Sequence, residues 1–274
     1  MDNRREYLEN KAKRIRYLTI ECIASLGVGH VGGALSIAEV LSVLYSGAMH
    51  VDPKNPKMEG RDRLVLSKGH AGPALYSALA NEGYFPVEEL YTLNKPGTRL
   101  PSHADMRLTT GVDMTAGSLG QGFSCAVGIA AASKLKKDGA TIFAIIGDGE
   151  SEEGTIWEAG MCAAHYKLDN LIAFTDYNKY QIDGNVLDVG GLMNLAEKWT
   201  AFGWTVLSVD GHDVLAIEKA IDFAKTQRNQ GKPIMIILDT VKGKGVTYAE
   251  NLKAGSHNFA INAELREQIL AELR

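Results

Sequence analysis

From residue 141 to residue 240 the chain keeps returning to short, continuous apolar runs separated by helix-length stretches. The runs are TIFAIIGDG (141–149), LIAFTD (171–176), TVLSVDG (205–211) and PIMIILDT (233–240), and RLVLS (63–67) adds a fifth upstream. Their apolar residues are contiguous rather than alternating, so each strand expects burial on both faces. Helical periodicity over 152–166, 191–202 and 213–229 supplies the covering layers. The pattern predicts an α/β fold with a single doubly wound, mainly parallel sheet and helices on both faces. No Pro- or Gly-rich linker divides the chain, so residues 1–274 read as a single domain.

Upstream, Leu8, Ala12, Ile15, Leu18, Cys22 and Leu26 recur at three- and four-residue steps, which puts them on one face of an opening helix that stops at Gly27. Further helices are expected from about Ser36 to Tyr45, over 71–83 and over 118–139, with a loop from Pro96 to Gly117. The stretch INAELREQILAELR within 260–274 reads as an amphipathic helical tail.

Several function classes are disfavoured at this stage. A composition of 45% hydrophobic and 23% charged residues is that of a soluble globular protein. A net charge of -4 gives no reason to expect nucleic acid or an anionic membrane as partner. The charged start MDNRREYLENKAKRIR is neither a secretory signal nor a spanning helix. Cys22, Cys125 and Cys162 match no metal-ligand spacing and suit reduced thiols, so a cytoplasmic location is expected.

The chemistry should lie at the carboxyl ends of the strands. A glycine turn after a strand usually receives an anion, yet Gly147-Asp148-Gly149 is followed by Glu150, Glu152 and Glu153. The dinucleotide fingerprint fails because Glu152 stands where the third glycine belongs. No P-loop occurs, and KGKG (242–245) is only its nearest approach. A carboxylate can serve a phosphate if a divalent cation stands between them. Mg²⁺ takes oxygen ligands, commonly one or two carboxylates with phosphate oxygens and water. Asp148 at one strand tip, with Asn178 and the main-chain carbonyl of Tyr180 at the next, supplies such a set, and Gly149 and Gly154 permit close backbone approach. Helix capping alone would also account for Asp148 and Glu152.

The joining of GDG to an asparagine at this distance resembles the thiamin diphosphate motif. SLGVGHVGGALS (25–36), LSKGHAGPALYSAL (66–79), TAGSLGQG (115–122) and LKAGSHNF (252–259) resemble the transketolase family in matching order, from the first helix to about residue 260. The resemblance implies thiamin diphosphate and Mg²⁺ as cofactors. It makes Asp148, Asn178 and the Tyr180 carbonyl metal ligands, and His70 and Gly149 diphosphate contacts. It places Gly117, Ser118 and Leu119 on the aminopyrimidine side, and His30, His103 and His257 in the substrate channel, with His257 also near the cofactor. Glu153 and Glu158 match glutamates that share protons between cofactor sites. His50, His165 and His212 match no motif and are expected to be structural.

The departures are Val31 and Ala104 in place of the family's prolines, one extra residue between His103 and Gly117, and Tyr177 before the metal asparagine. Single-chain transketolases are more than twice this length, and this chain has no candidate for the glutamate that activates the pyrimidine. The resemblance therefore implies a split enzyme: this N-terminal subunit, a separate C-terminal subunit, an α2β2 heterotetramer, and sugar phosphates as substrates. The expected reaction moves a two-carbon ketol unit from a ketose phosphate to an aldose phosphate. Alternatives are half of a dihydroxyacetone synthase, of a deoxyxylulose phosphate synthase or of a transketolase for an unusual sugar. Two readings from other classes also remain: a non-catalytic, cofactor-binding subunit or, more distantly, a nicotinamide-dependent oxidoreductase.

Overall fold

A computed structural model describes residues 2–274. The opening helix α1 spans Asp2–Leu26. After it come the two-residue strand β1 (Val28–Gly29), the short helices α2 (Gly32–Leu35) and α3 (Ala38–Val43), and a wide turn over Leu44–Ala48. Strand β2 (Arg63–Leu66) leads into α4 (Gly72–Asn81), and α5 (Gln121–Lys136) precedes β3 (Ile142–Gly147). Regular alternation follows: α6 (Gly154–His165), β4 (Leu171–Tyr177), α7 (Val186–Val189), α8 (Leu195–Ala201), β5 (Thr205–Asp210), α9 (Val214–Thr226) and β6 (Ile234–Asp239). The chain closes with α10 (Thr247–Leu252), β7 (Phe259–Ala260) and α11 (Ala263–Glu272), the last being the expected helical tail.

Strands β2 to β6 form one parallel sheet in the order β2-β3-β4-β6-β5. These are the five apolar runs of the sequence. Successive residues of each strand enter opposite cores, as the pleat requires. Phe143, Ile145, Ile172, Phe174, Ile234 and Ile236 pack against α1, α3, α4 and α9. Ile142, Ala144, Ile146, Leu171, Ala173 and Met235 pack against α5, α6 and α8 on the other face. Full burial of each larger aliphatic or phenyl group stabilises by about 1.5–3 kcal/mol. The step from β5 back to β6 reverses the direction of travel across the sheet. A right-handed crossover must then lie on the opposite face, which is where α9 sits.

Local differences from the sequence expectations have physical causes. The helix expected from about Ser36 to Tyr45 is α3, which runs into the wide turn where Gly47 adopts φ 106°, and the additional short helix α2 precedes it. The helix expected at 191–202 begins only at Leu195, as α8, because Gly191 at φ 64° precedes it, and the separate short helix α7 has already ended at Val189. The last half of α1 is buried around most of its circumference, Thr19 and Glu21 included, rather than on a single face. Arg266 neutralises Glu21 there, with two contacts of 2.6 Å. No helix among the described residues is long and apolar enough to cross a membrane.

Candidate functional site

The parallel sheet aims the ends of β2, β3, β4 and β6 at one region. A cavity of 430 Å³ opens there. Asp148 and Gly149 reach it from the end of β3, and Asn178 and Tyr180 from the end of β4. Gly117, Leu119 and Glu153 border it, together with all four motif histidines, His30, His70, His103 and His257. Ser118 is exposed beside Gly117 and does not line the cavity, and Glu158 stands exposed further along α6.

The histidines come from four remote segments, and two devices unite them. Strand β1 pairs antiparallel with β7, Gly29 opposite Phe259, which draws His30 and His257 to a ring separation of 5.2 Å. At the end of β2 the chain turns through Gly69, where a Cβ would overlap the Ala116 carbonyl oxygen. The GSLG segment (117–120) and His70 can therefore lie side by side. The rings of His30 and His70 are 5.4 Å apart, those of His30 and His103 5.6 Å, and those of His70 and His257 5.0 Å.

This crowding changes the expected proton chemistry. Desolvation, followed by the charge of Lys242, holds His257 down at about 3. Desolvation and Lys68 push His70 well below its ordinary value, and desolvation also lowers His30 and His103. The rings are thus neutral at pH 7, each with one N–H to donate and one bare nitrogen to accept, whereas an unshifted histidine would titrate near neutrality.

Asp148 is 2% exposed. Its Oδ1 accepts the Gly149 N–H at 2.8 Å and its Oδ2 the Lys179 N–H at 2.6 Å. Burial, and then the neighbouring Asp176, push its carboxyl up to about 7. Asn178 donates through Nδ2 to Asp176 Oδ2 at 2.8 Å, which leaves its Oδ1 as the amide's free-facing acceptor. That oxygen takes only a long contact from the Tyr180 N–H, 3.2 Å. Carboxylate, amide and main-chain carbonyl oxygens on adjoining strand tips are hard donors, and each retains lone-pair capacity. They fit Mg²⁺, and Asp148 is a buried carboxylate that a cation would stabilise. Among the described residues no three His, Cys, Asp or Glu side chains are grouped to hold a metal.

Four functional groups escaped sequence reasoning. Asp176, fully buried, accepts hydrogen bonds from Ser36 at 2.7 Å and Thr240 at 2.5 Å and pairs with Lys68 at 2.5 Å. Burial raises its carboxyl, but Lys68 and these donors outweigh it and hold the group below its ordinary value. Glu150 collects Ser67 at 2.5 Å, the Gly120 N–H at 2.8 Å and the Gly147 N–H at 2.9 Å, so one carboxylate ties together the three loops at the ends of β2, of the GSLG segment and of β3. Lys242 lines the cavity and donates to the Tyr180 carbonyl at 2.8 Å. Desolvation, followed by Lys68, lowers its ammonium to about 8. Lys68 could have been found beside Gly69-His70, and Lys242 inside KGKG, had those lysines been weighed as loop cations.

The family model described as the transketolase, thiamine diphosphate binding domain, matches residues 8–272. The chain is 58% identical over 266 residues to the 6-deoxy-6-sulfo-D-fructose transketolase subunit of Clostridium sp. (strain MSTE9), covering 97% of this chain and 96% of that one. It is 38% identical to an apulose-4-phosphate transketolase subunit of Phocaeicola vulgatus, covering 98% and 94%. The crystal structure of transketolase from Campylobacter jejuni superposes with a TM-score of 0.87 at 34% identity, over 97% of this chain and 43% of that one. The chain thus spans less than half the length of that solved transketolase. With the motif histidines, the GDG turn and Asn178 gathered at one end of the same sheet, the chain belongs to the transketolase family and corresponds to its thiamine diphosphate-binding domain.

Proposed function

We propose that this chain is the diphosphate- and Mg²⁺-binding subunit of a two-chain ketol transferase. A separate subunit supplies the pyrimidine-binding half, in a cytoplasmic α2β2 assembly. The observation that carries the proposal is the oxygen set of Asp148, Asn178 and Tyr180 sharing one cavity with four neutral imidazoles. The split arrangement is supported by relatives that are called subunits and that this chain matches over 96% and 94% of their length. Cys22, Cys125 and Cys162 are free thiols, as suits a reducing compartment.

Asp148, Asn178 and the Tyr180 carbonyl hold Mg²⁺, while His70, Gly149 and Lys242 face the diphosphate. Thiamin diphosphate, when bound, supplies the carbon nucleophile and electron sink that bond cleavage beside a carbonyl requires. Gly117, Ser118 and Leu119 border its aminopyrimidine. A bare ring nitrogen of His30 or His103 accepts the proton of the donor's C3 hydroxyl as the C2–C3 bond breaks, and the N–H of His257 orients the sugar. Glu153 and Glu158 exchange protons through water with the neighbouring site.

We further propose that the donor is a 6-deoxy-6-sulfo-ketose. The support is the 58% identity to the subunit named for 6-deoxy-6-sulfo-D-fructose, against 38% to the apulose-4-phosphate subunit. Removal of the two-carbon unit leaves a four-carbon aldose carrying the sulfonate. The test is to combine this chain with a candidate pyrimidine-binding subunit and to supply Mg²⁺, thiamin diphosphate and ribose 5-phosphate. Transfer from 6-deoxy-6-sulfo-D-fructose exceeding that from xylulose 5-phosphate is expected. Preference for xylulose 5-phosphate overturns the donor assignment alone. Full turnover by this chain without the second subunit overturns the split enzyme.

A further inference from the structure

We propose that His212 is a positioning residue that holds Lys242 on the cavity by fixing the main chain at Val241. The inference rests on the proposed role of Lys242 as a residue that faces the anionic ligand.

Strand β6 ends at Asp239, and the sheet ladder gives no further support to residues 241–246. That segment contains Gly243 and Gly245 at φ 84° and 86°, so its backbone needs other restraint. His212, on the turn between β5 and α9, provides it. The Val241 N–H donates to His212 Nε2 at 2.9 Å. A ring nitrogen that accepts an N–H carries no proton, so the ring proton sits on Nδ1. Nδ1 lies 3.2 Å from Glu39 Oε2, to which it donates. Glu39 is held by Arg16, whose Nη2 is 2.6 Å from both carboxylate oxygens, and both side chains are buried. A chain of contacts thus runs from α1 through α3 to the β5–α9 turn and on to the segment carrying Lys242. One residue further, the Gly243 N–H donates to the Gly32 carbonyl at 3.0 Å, and Lys242 reaches the Tyr180 carbonyl. His212 itself does not line the cavity.

Two conservative variants separate positioning from general stability. The amide of Gln extends to the place of Nε2 and can accept the Val241 N–H. The amide of Asn extends only to the place of Nδ1, so it can face Glu39 but not Val241. The full chain is titrated by calorimetry with thiamin diphosphate in excess Mg²⁺, and the Val241 amide is followed by hydrogen exchange without ligand. His212→Asn is expected to bind about tenfold more weakly, the scale of one lost hydrogen bond, and to exchange Val241 faster. His212→Gln is expected to stay within about threefold of the parent. Because His212 acts through Lys242, adding His212→Asn to Lys242→Met should cause no further loss. Equal binding by the Asn and Gln variants, or a fully additive double variant, overturns the role of His212 while the proposed site stands. Unchanged binding by Lys242→Met overturns the placement of Lys242 at the anion, and the positioning role with it.

Discussion

Replacing Asp148 with Asn should make the metal-free protein more stable at high pH while depriving it of its response to metal. The folded state pushes this carboxyl from 3.8 up to about 7, with burial the leading cause. A raised carboxyl stabilises the fold fully below pH 3.8, and that contribution is lost as the pH climbs through 7. At 1.36 kcal/mol per pH unit, ionised Asp148 costs about 4 kcal/mol at pH 8 relative to acid conditions. Asn carries no charge, but its Nδ2 must face either the Gly149 or the Lys179 N–H, and that mismatch returns about 2 kcal/mol. The net gain at pH 8 is about 2 kcal/mol. For 274 residues this corresponds to about 3–4 °C in melting temperature. Near pH 5 the parent is largely protonated and the gain disappears. With Mg²⁺ and thiamin diphosphate at a hundred times their dissociation constant, the parent should gain about 2.7 kcal/mol and overtake the variant, which gains nothing. The assay is thermal melting by circular dichroism from pH 5 to pH 8, with and without the ligands. A stability difference that is flat across this range, or a variant that still responds to Mg²⁺, would refute the reasoning.

Three other substitutions test the frame around the site. Glu150→Ala leaves Ser67 and the Gly120 and Gly147 amides without their shared acceptor and should cost about 3–5 kcal/mol, read as a lower urea midpoint, with Glu150→Gln losing less. Gly69→Ala drives a methyl into the Ala116 carbonyl, so thiamin diphosphate affinity should fall at least tenfold by calorimetry even where the far-ultraviolet spectrum is unchanged. Trp199 is fully buried and its Nε1 has no partner, so Trp199→Phe should cost under about 2 kcal/mol, whereas Trp199→Ala should cost about 3–5 kcal/mol by chemical denaturation.

The sheet was legible because burial on both faces writes its inner strands as unbroken apolar runs: Ile142 to Ile146 and Ile234 to Leu238 can be read without any partner in view, whereas β5 at the sheet edge is only partly buried and is interrupted by Ser208. The pairing of Val28–Gly29 with Phe259–Ala260 could not be read, since two residues carry no period and their partner lies at the far end of the chain. The same distinction holds at the site. Asp148, His30 and His70 sit in glycine-rich turns that advertise themselves, and Asn178 is found by its distance from the GDG turn. Asp176 and Glu150 do their work through buried hydrogen bonds to Ser36, Ser67 and Thr240, partners that only the folded chain brings to them. The shifted histidines were equally hidden, because their neutrality comes first from burial in the folded cavity and then, for His30, His70 and His257, from neighbouring histidines and lysines brought together by the fold.

The clasp between β1 and β7 also sets an order of events at the ribosome. The sheet can assemble once Asp239 has emerged, but the pairing that brings His30 to His257 cannot form until Phe259 arrives opposite Gly29. A nascent chain arrested shortly before that point would hold a finished sheet and an unfinished pocket. The proposed coenzyme pocket is therefore closed only after the sheet that carries it, so a chain halted in between lacks the His30–His257 pair.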